Sequence, residues 1–343
     1  MKIAVDKNTY QVAKNDGNTY IYLYEDEALE DLMKTKLRCM EYNECKSVDI
    51  NLTNYNVDCI KRAKITDKDW NKLPEHKDYK IGIIIPNYNY ADCLDECFNS
   101  LLKQTYQNFE IIFVDDMSTD NSVEKVKEFQ KQMPNKIKIV ELKQKRYNGG
   151  ARNEGYLLLS DDVDYVYYID SDDWLCDLDG LNKINQKLQS YPDVLFVGMC
   201  SYKRNLLRVC FIPEYKDKYE AIAGWSGSCG KVIKKSLATR QECLYNEGTL
   251  KEDKNQHCKI CFYMESFALL KRPIYCWNQM NSNSVTTVRS KNPMWETSTI
   301  RHYADTLQLY LTIKGKDEKI DKFLESRLEM TKKEIDEGGD RQW

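Results

Sequence analysis

From about residue 80 to residue 200 the chain alternates strand-length apolar runs with segments of helical period. That pattern is the signature of a parallel sheet with crossover helices, an α/β fold. Lys80–Ile85 is apolar on both faces, as a central parallel strand must be, and Pro86 is expected to stop it. Leu94, Phe98, Leu101 and Leu102 then recur along one helix face. Phe109–Val114 reads as the next strand, and Ser118-Thr119-Asp120 offers capping side chains to a helix carrying Val123, Val126 and Phe129. Ile137–Leu142 is a third strand, Asn148-Gly149-Gly150 opens a helix to about Leu159, and Asp164–Ile169 is a fourth strand. Leu181, Ile184 and Leu188 mark a further helix before a fifth strand, Val194–Met199. Strand ends in such sheets gather their loops on one edge. The segments 86–90, 115–120 and 170–173, all polar or acidic, are therefore expected to face one crevice.

The flanks are different. Residues 1–79 are more polar and rich in Tyr, Asn and Lys, with a strand expected at Thr19–Tyr24 and a helix at Glu27–Tyr42, and carry no legible chemistry. Beyond about Pro293 the chain turns helical and charged, with Leu307, Leu311, Phe323, Leu324 and Leu328 as expected packing positions. The expected division is thus 1–79, 80–292 and 293–343.

Charge and composition exclude several classes. With 51 Lys+Arg against 54 Asp+Glu over 343 residues, the net charge of −3 gives no field that would demand nucleic acid or an anionic membrane as partner. No run approaches the roughly 18 apolar residues of a membrane span. Met1–Asp6 lacks the basic-then-apolar order of a secretory leader, so a cytoplasmic location is expected. Thirteen cysteines, an odd number scattered through apolar segments, fit a reducing compartment. Cys258 and Cys261 beside His257 have the spacing of half a zinc site, but no second pair exists; a helix with two buried thiols is the competing reading.

Asp170, Asp172 and Asp173 follow a strongly apolar strand within four positions. Their repulsion would raise their pKa values unless a cation offsets it, and Mg²⁺ or Mn²⁺ suits such oxygen ligands. A solvated turn chosen for its capping preferences is the plainer alternative. A second carboxylate pair, Asp115-Asp116, ends another strand of the same sheet, which favours a diphosphate ligand with its metal.

Six blocks then carry a resemblance. Ile83–Asn89, Gln104-Thr105-Tyr106, Glu110–Asp120, Asn148–Gly155, Tyr168–Asp173 and Glu252-Asp253 resemble, in order, the blocks of the family 2 (GT-A fold) glycosyltransferases. The resemblance covers about residues 80 to 288 and implies a Rossmann-like, mostly parallel sheet flanked by helices. It divides the middle segment into a nucleotide-sugar-binding half, 80–200, and an acceptor half, 201–292.

For single residues the resemblance implies the following roles. Pro86 and Tyr88 pack around the nucleobase and Asp116 accepts the uracil imide proton, against the alternatives of a turn tyrosine and a capping aspartate. Arg152, in the first turn after the glycines, helps hold the diphosphate. Asp170 contacts the donor, Asp172 and Asp173 hold the Mn²⁺ or Mg²⁺, and Asp253 is the catalytic base, with Glu252 as the alternative base or a helix cap. Lys251–Lys254 could instead be a charged turn. Trp225–Lys231 only loosely resembles the acceptor-side segment, and no long apolar helix follows as in processive synthases.

The expected activity is inverting, metal-dependent transfer from a nucleotide-sugar, a UDP-sugar, to a hydroxyl of a saccharide or glycoconjugate. Two alternatives stay open: a non-carbohydrate acceptor, with nucleic acid reached only in that role through Lys61-Arg62 or the Lys143–Arg146 run, and a non-catalytic nucleotide-sugar-binding module. A nucleotidyltransferase and a dinucleotide oxidoreductase are disfavoured, because the Gly-rich phosphate loop each needs is missing after the first strand.

Overall fold

The computed structural model describes the backbone of residues 9–15, 18–24 and 60–64, and residues 77–204, 206–282, 284 and 294–336. Contacts divide the chain into two compact units, Met1–Lys77 and Asp78–Trp343. In the first, β1 (Thr9–Asn15), β2 (Asn18–Tyr24) and β3 (Ile60–Lys64) form an antiparallel sheet in that order. The strand expected at Thr19–Tyr24 is β2; the helix expected at Glu27–Tyr42 lies outside the described residues.

The second unit is built on one mixed sheet. Its strands are β4 (Ile81–Asn87), β5 (Phe109–Asp115), β6 (Ile137–Glu141), β7 (Tyr165–Tyr168), β8 (Trp174–Leu175), β9 (Val194–Lys203), β10 (Leu206–Phe211), β11 (Lys231–Lys234) and β12 (Phe267–Asn278). Their order is β6-β5-β4-β7-β11-β9-β12-β8, with β10 paired to β9. The pairs β4–β5, β5–β6, β4–β7 and β9–β12 are parallel, and β11 runs antiparallel to both β7 and β9.

Alternation along β4 explains the layering. Ile81, Ile83 and Ile85 enter one core, where α1 (Leu94–Leu102), α2 (Ser122–Gln132) and α4 (Gly180–Leu188) supply Phe98, Val126 and Ile184. Ile84 points into the other, covered by α3 (Tyr147–Leu157), α5 (Lys218–Ala223), α6 (Lys235–Ala238), α7 (Glu252–Tyr263), α8 (Met294–Ile313) and α9 (Glu318–Asp336). Helix α3 approaches β4 so closely that a Cβ on Gly155 would stand 2.5 Å from Ile84. This is why a glycine ends the Asn148–Gly155 block.

Three expectations need correction. Pro86 does not stop its strand: it pairs in register with Val114, and β4 runs on to Asn87. β7 has already left β4 after Ile84, so the missing N–H of Pro86 falls where the strand has one neighbour. The antiparallel β11 was not foreseen between β7 and β9. In α8 the buried stripe is Thr306, Leu309, Tyr310 and Ile313, which turns Leu311 outward with 65% of its surface exposed.

Candidate active site

The three polar or acidic loops meet at the C-terminal edge of the sheet. Asn87, closing β4, donates its amide to Asp115 at 3.0 Å and to Ser118 at 3.1 Å, and the Thr119 N–H reaches Asn89 Oδ1 at 2.7 Å. Asn89 and Met117 take left-handed backbone (φ 56° and 66°), so the chain turns sharply in both loops. Asp120, one residue before the N-cap Asn121 of α2, accepts the Ser122 N–H and hydroxyl. From the first loop, Tyr90 lies in the field of Asp172 and Asp170, which adds to burial in raising its phenol pKa.

One corner carries the residues expected at a nucleobase. Asp116 is buried and accepts the Arg146 and Tyr147 N–H groups at 2.7 and 2.8 Å, at the start of α3. Lys145 pairs with its carboxylate at 3.3 Å and lies over the exposed Tyr88 ring. Pro86 is buried inside β4, one residue before this loop begins.

Arg152 is the hub of the second corner. It is 1% exposed, yet its guanidinium reaches Asp170 at 2.6 Å, Glu252 at 2.8 Å and Asp253 at 3.3 Å, with the Tyr245 ring 5.2 Å away. Burial opposes its charge, but Asp170, Asp253, Tyr245 and Glu252 outweigh it and hold the pKa well above the ordinary value. Expected to grip a diphosphate, Arg152 has its terminal nitrogens committed to carboxylates from β7's end and α7.

The carboxylates differ in access. Glu252 is buried, and burial followed by the charge of Asp253 pushes its pKa up to about 7. The Asp253 side chain keeps 38% of its surface open. Behind it runs a hydroxyl chain: Tyr245 donates to Ser228 at 2.7 Å, and Ser228 donates to Asp253.

In the aspartate loop, Asp170 N–H donates to Tyr275 Oη at 3.2 Å, and Asp173 accepts that hydroxyl's proton and the Asn278 N–H. Asp172 accepts from Asn281 at 2.8 Å; burial, then Asp170, pushes its pKa up to about 6. Burial, then Asp172 and Asp170, raise Asp173 well above the carboxylate range. Ligand atoms of Asp170, Asp173 and Cys229 lie within 4.8 Å of one another, and the neighbouring Ser171 hydroxyl is buried without a partner. A donor set led by two mutually repelling carboxylates, Asp173 buried and Asp170 half-buried, fits a divalent cation. Asp170, placed at the donor by sequence, is in that group with Asp173; Asp172 is not.

Residues 82–210 match the family model Glycosyl transferase family 2. Over those residues the chain is similar to the family 2 glycosyltransferases. Curated relatives include a poly(ribitol-phosphate) beta-glucosyltransferase of Bacillus spizizenii, 36% identical over 98 residues, which are 28% of this chain and 15% of that protein. Coverage of other such relatives is similarly partial, 28%, 17% and 30% of their length. Among solved structures, residues 1–349 of S. aureus TarS in complex with UDP-GlcNAc superpose with a TM-score of 0.56 at 19% identity, covering 66% of each chain. A mannosyltransferase of Pyrobaculum calidifontis in complex with GDP-mannose and Mn²⁺ gives 0.53 at 16% identity, covering 76% of this chain and 74% of that one. The fold is GT-A.

Sequence reasoning gave no site role to Lys145, Ser228, Cys229 or Tyr245. The Lys143–Arg146 run looked like a basic surface, but Lys145 pairs with Asp116, and Arg146 pairs with Glu154 and Glu247 at 2.6 Å each. His257 bonds the Ala221 carbonyl at 2.9 Å, and Cys258 and Cys261 are free buried thiols of α7. No described helix is long and apolar enough to cross a membrane.

Proposed function

We propose that this chain is an inverting, metal-dependent glycosyltransferase that moves a sugar from a nucleotide-sugar, a UDP-sugar, to a hydroxyl of a saccharide or glycoconjugate acceptor. The observation that carries the reading is the pair formed by Glu252 and Asp253. Both touch Arg152, but only Asp253 is open at the crevice and held by a donor behind it.

Asp253 takes the proton of the acceptor hydroxyl as its oxygen attacks the anomeric carbon, and the bond to the nucleoside diphosphate breaks on the opposite face. The Ser228 hydroxyl and Arg152 keep the carboxylate in one orientation. Tyr88 and Asp116 take the face and N–H edge of the base, and Lys145, already beside both, gives way to or flanks the ring. The 170–173 carboxylates would hold a divalent cation, which when bound would supply charge neutralisation to a departing diphosphate. The S. aureus relative's UDP-GlcNAc and the Pyrobaculum enzyme's Mn²⁺ support these two assignments, and the ribitol-phosphate glucosyltransferase supports a hydroxyl-bearing acceptor.

The test is stereochemical. Donors are first ranked by the rise each gives in thermal midpoint with Mn²⁺. Proton NMR of the product made from the selected α-linked donor should then show a β-linkage; an α-linked product would refute direct displacement assisted by Asp253.

A further inference from the structure

The hairpin formed by β9 and β10 leaves the core. Along β9 the chain passes from buried at Val194–Cys200 to exposed at Lys203, and in β10 every residue from Leu206 to Cys210 is exposed, on both faces of the strand. β10 pairs with β9 alone, Leu206 standing opposite Lys203, so its outer edge has no partner among the described strands. Leu206, Leu207 and Val209 keep 53%, 57% and 61% of their surface open. Scattered exposed aliphatics are ordinary, but three within four positions make a patch that points to a partner. Met280, 49% exposed, joins it at the tip, where its sulfur accepts the Arg204 N–H at 3.2 Å. Tyr202 stands edge-on to Trp174 just before the tip, with ring centroids 5.5 Å apart.

Charge on the hairpin has one sign. Residues 194–213 contain Lys203, Arg204 and Arg208 and no Asp or Glu. None of the three cations makes an ion pair among the described residues. A second copy paired along this edge would bring Arg208 of each chain together, with no carboxylate on either strand to offset the repulsion. A soluble polyanion would engage the cations but leave the aliphatic side chains in water. A surface that is anionic outside and apolar just beneath takes both, and that is the chemistry of an acidic lipid bilayer.

We propose that the β9–β10 hairpin docks on a membrane bearing anionic lipids, with Leu206, Leu207 and Val209 entering the boundary between headgroups and acyl chains and Lys203, Arg204 and Arg208 meeting the headgroup charge. Docking sets the aspartate loop near the lipid, because Met280 lies between Asn278 and Asn281, which hold Asp173 and Asp172.

The full chain is mixed with vesicles of phosphatidylcholine, with and without phosphatidylglycerol, and the bound fraction is read by co-sedimentation. Binding is expected to the anionic vesicles, to fall with added salt, and to weaken about fivefold in each of Arg204→Gln and Arg208→Gln. The double variant Leu206→Ser/Leu207→Ser keeps every charge and is expected to weaken binding by about tenfold or more. These side chains are exposed, so the variants should keep the wild-type thermal midpoint. Absence of wild-type binding to the anionic vesicles overturns the proposal. So does undiminished binding in both arginine variants, or in the leucine double variant, where the cations would be acting alone as on a soluble polyanion. Sedimentation velocity without lipid covers the remaining occupant: a dimer that the leucine double variant dissolves would assign the strand to a second copy and overturn membrane docking.

Discussion

Three carboxylates, Asp170, Glu252 and Asp253, converge on the buried guanidinium of Arg152. Without a cation between them, like charges at that separation would force protonation or movement. Arg152 is shared, so Glu252 still carries a raised pKa of about 7, set first by burial and then by Asp253. An acid whose folded pKa exceeds its unfolded value binds more protons when folded, so stability is lost as pH rises through the interval between them. For Glu252 that interval runs from 4.5 to about 7. The metal-free protein is expected to lose stability across it, and Glu252→Gln should flatten the loss in urea unfolding series at stepped pH. An unchanged slope would mean the carboxyl titrates normally. The acidic positions were legible because short motifs place carboxylates at strand and helix ends. Their convergence on one arginine was not, since it joins residues 100 positions apart that only the packing of α3 against α7 brings together.

Between elements, the tightest constraint lies where β9 and β12 run side by side. A Cβ on Gly198 would stand 2.4 Å from the Arg272 carbonyl oxygen, beside the register shifts that flank Pro273. Backbone cannot retreat there without parting the strands that lead to Cys276 and Asn278, and Asn278 holds Asp173. Gly198→Ala is expected to cost about 1–3 kcal/mol in chemical denaturation, and to weaken metal binding through Asp173. Wild-type stability in this variant would show that β12 has slack. The central strands were legible because both faces are apolar, which leaves one interpretation for Ile81–Ile85 and Phe109–Val114. β11 was hidden by its brevity and by Lys231, a cation at a fully buried position that stays there by donating to the Ser226 and Gly227 carbonyls. The same segment places Ser228 behind Asp253, so the missed strand and the missed site residue share one cause.

At the scale of the second unit, the C-terminal helices are part of the catalytic core's packing. Leu309, Tyr310 and Ile313 of α8 and Ile320, Leu324 and Leu328 of α9 join the same apolar cluster as Ala151 of α3 and Ile260 of α7. Each buried aliphatic side chain is worth about 1.5–3 kcal/mol, and a domain's whole margin is about 5–15 kcal/mol. A chain ending at residue 293 is therefore expected to lose cooperative unfolding in calorimetry; a sharp transition near the wild-type midpoint would show that these helices are dispensable. The expected boundary near Pro293 marks a change of composition, not of core, because amphipathic charge patterning cannot reveal which face a helix buries against. Of the Glu252–Asp253 pair, the arginine hub and the helical cover leave Asp253 open at the crevice, and the proposed role rests on it. The most direct measurement compares wild type and Asp253→Asn for nucleotide-sugar binding, by thermal midpoint with Mn²⁺, and for sugar transfer under the same conditions. Donor binding is expected to be unchanged and turnover lower by about 10²–10⁴-fold. Turnover within a few-fold of wild type in Asp253→Asn would contradict it.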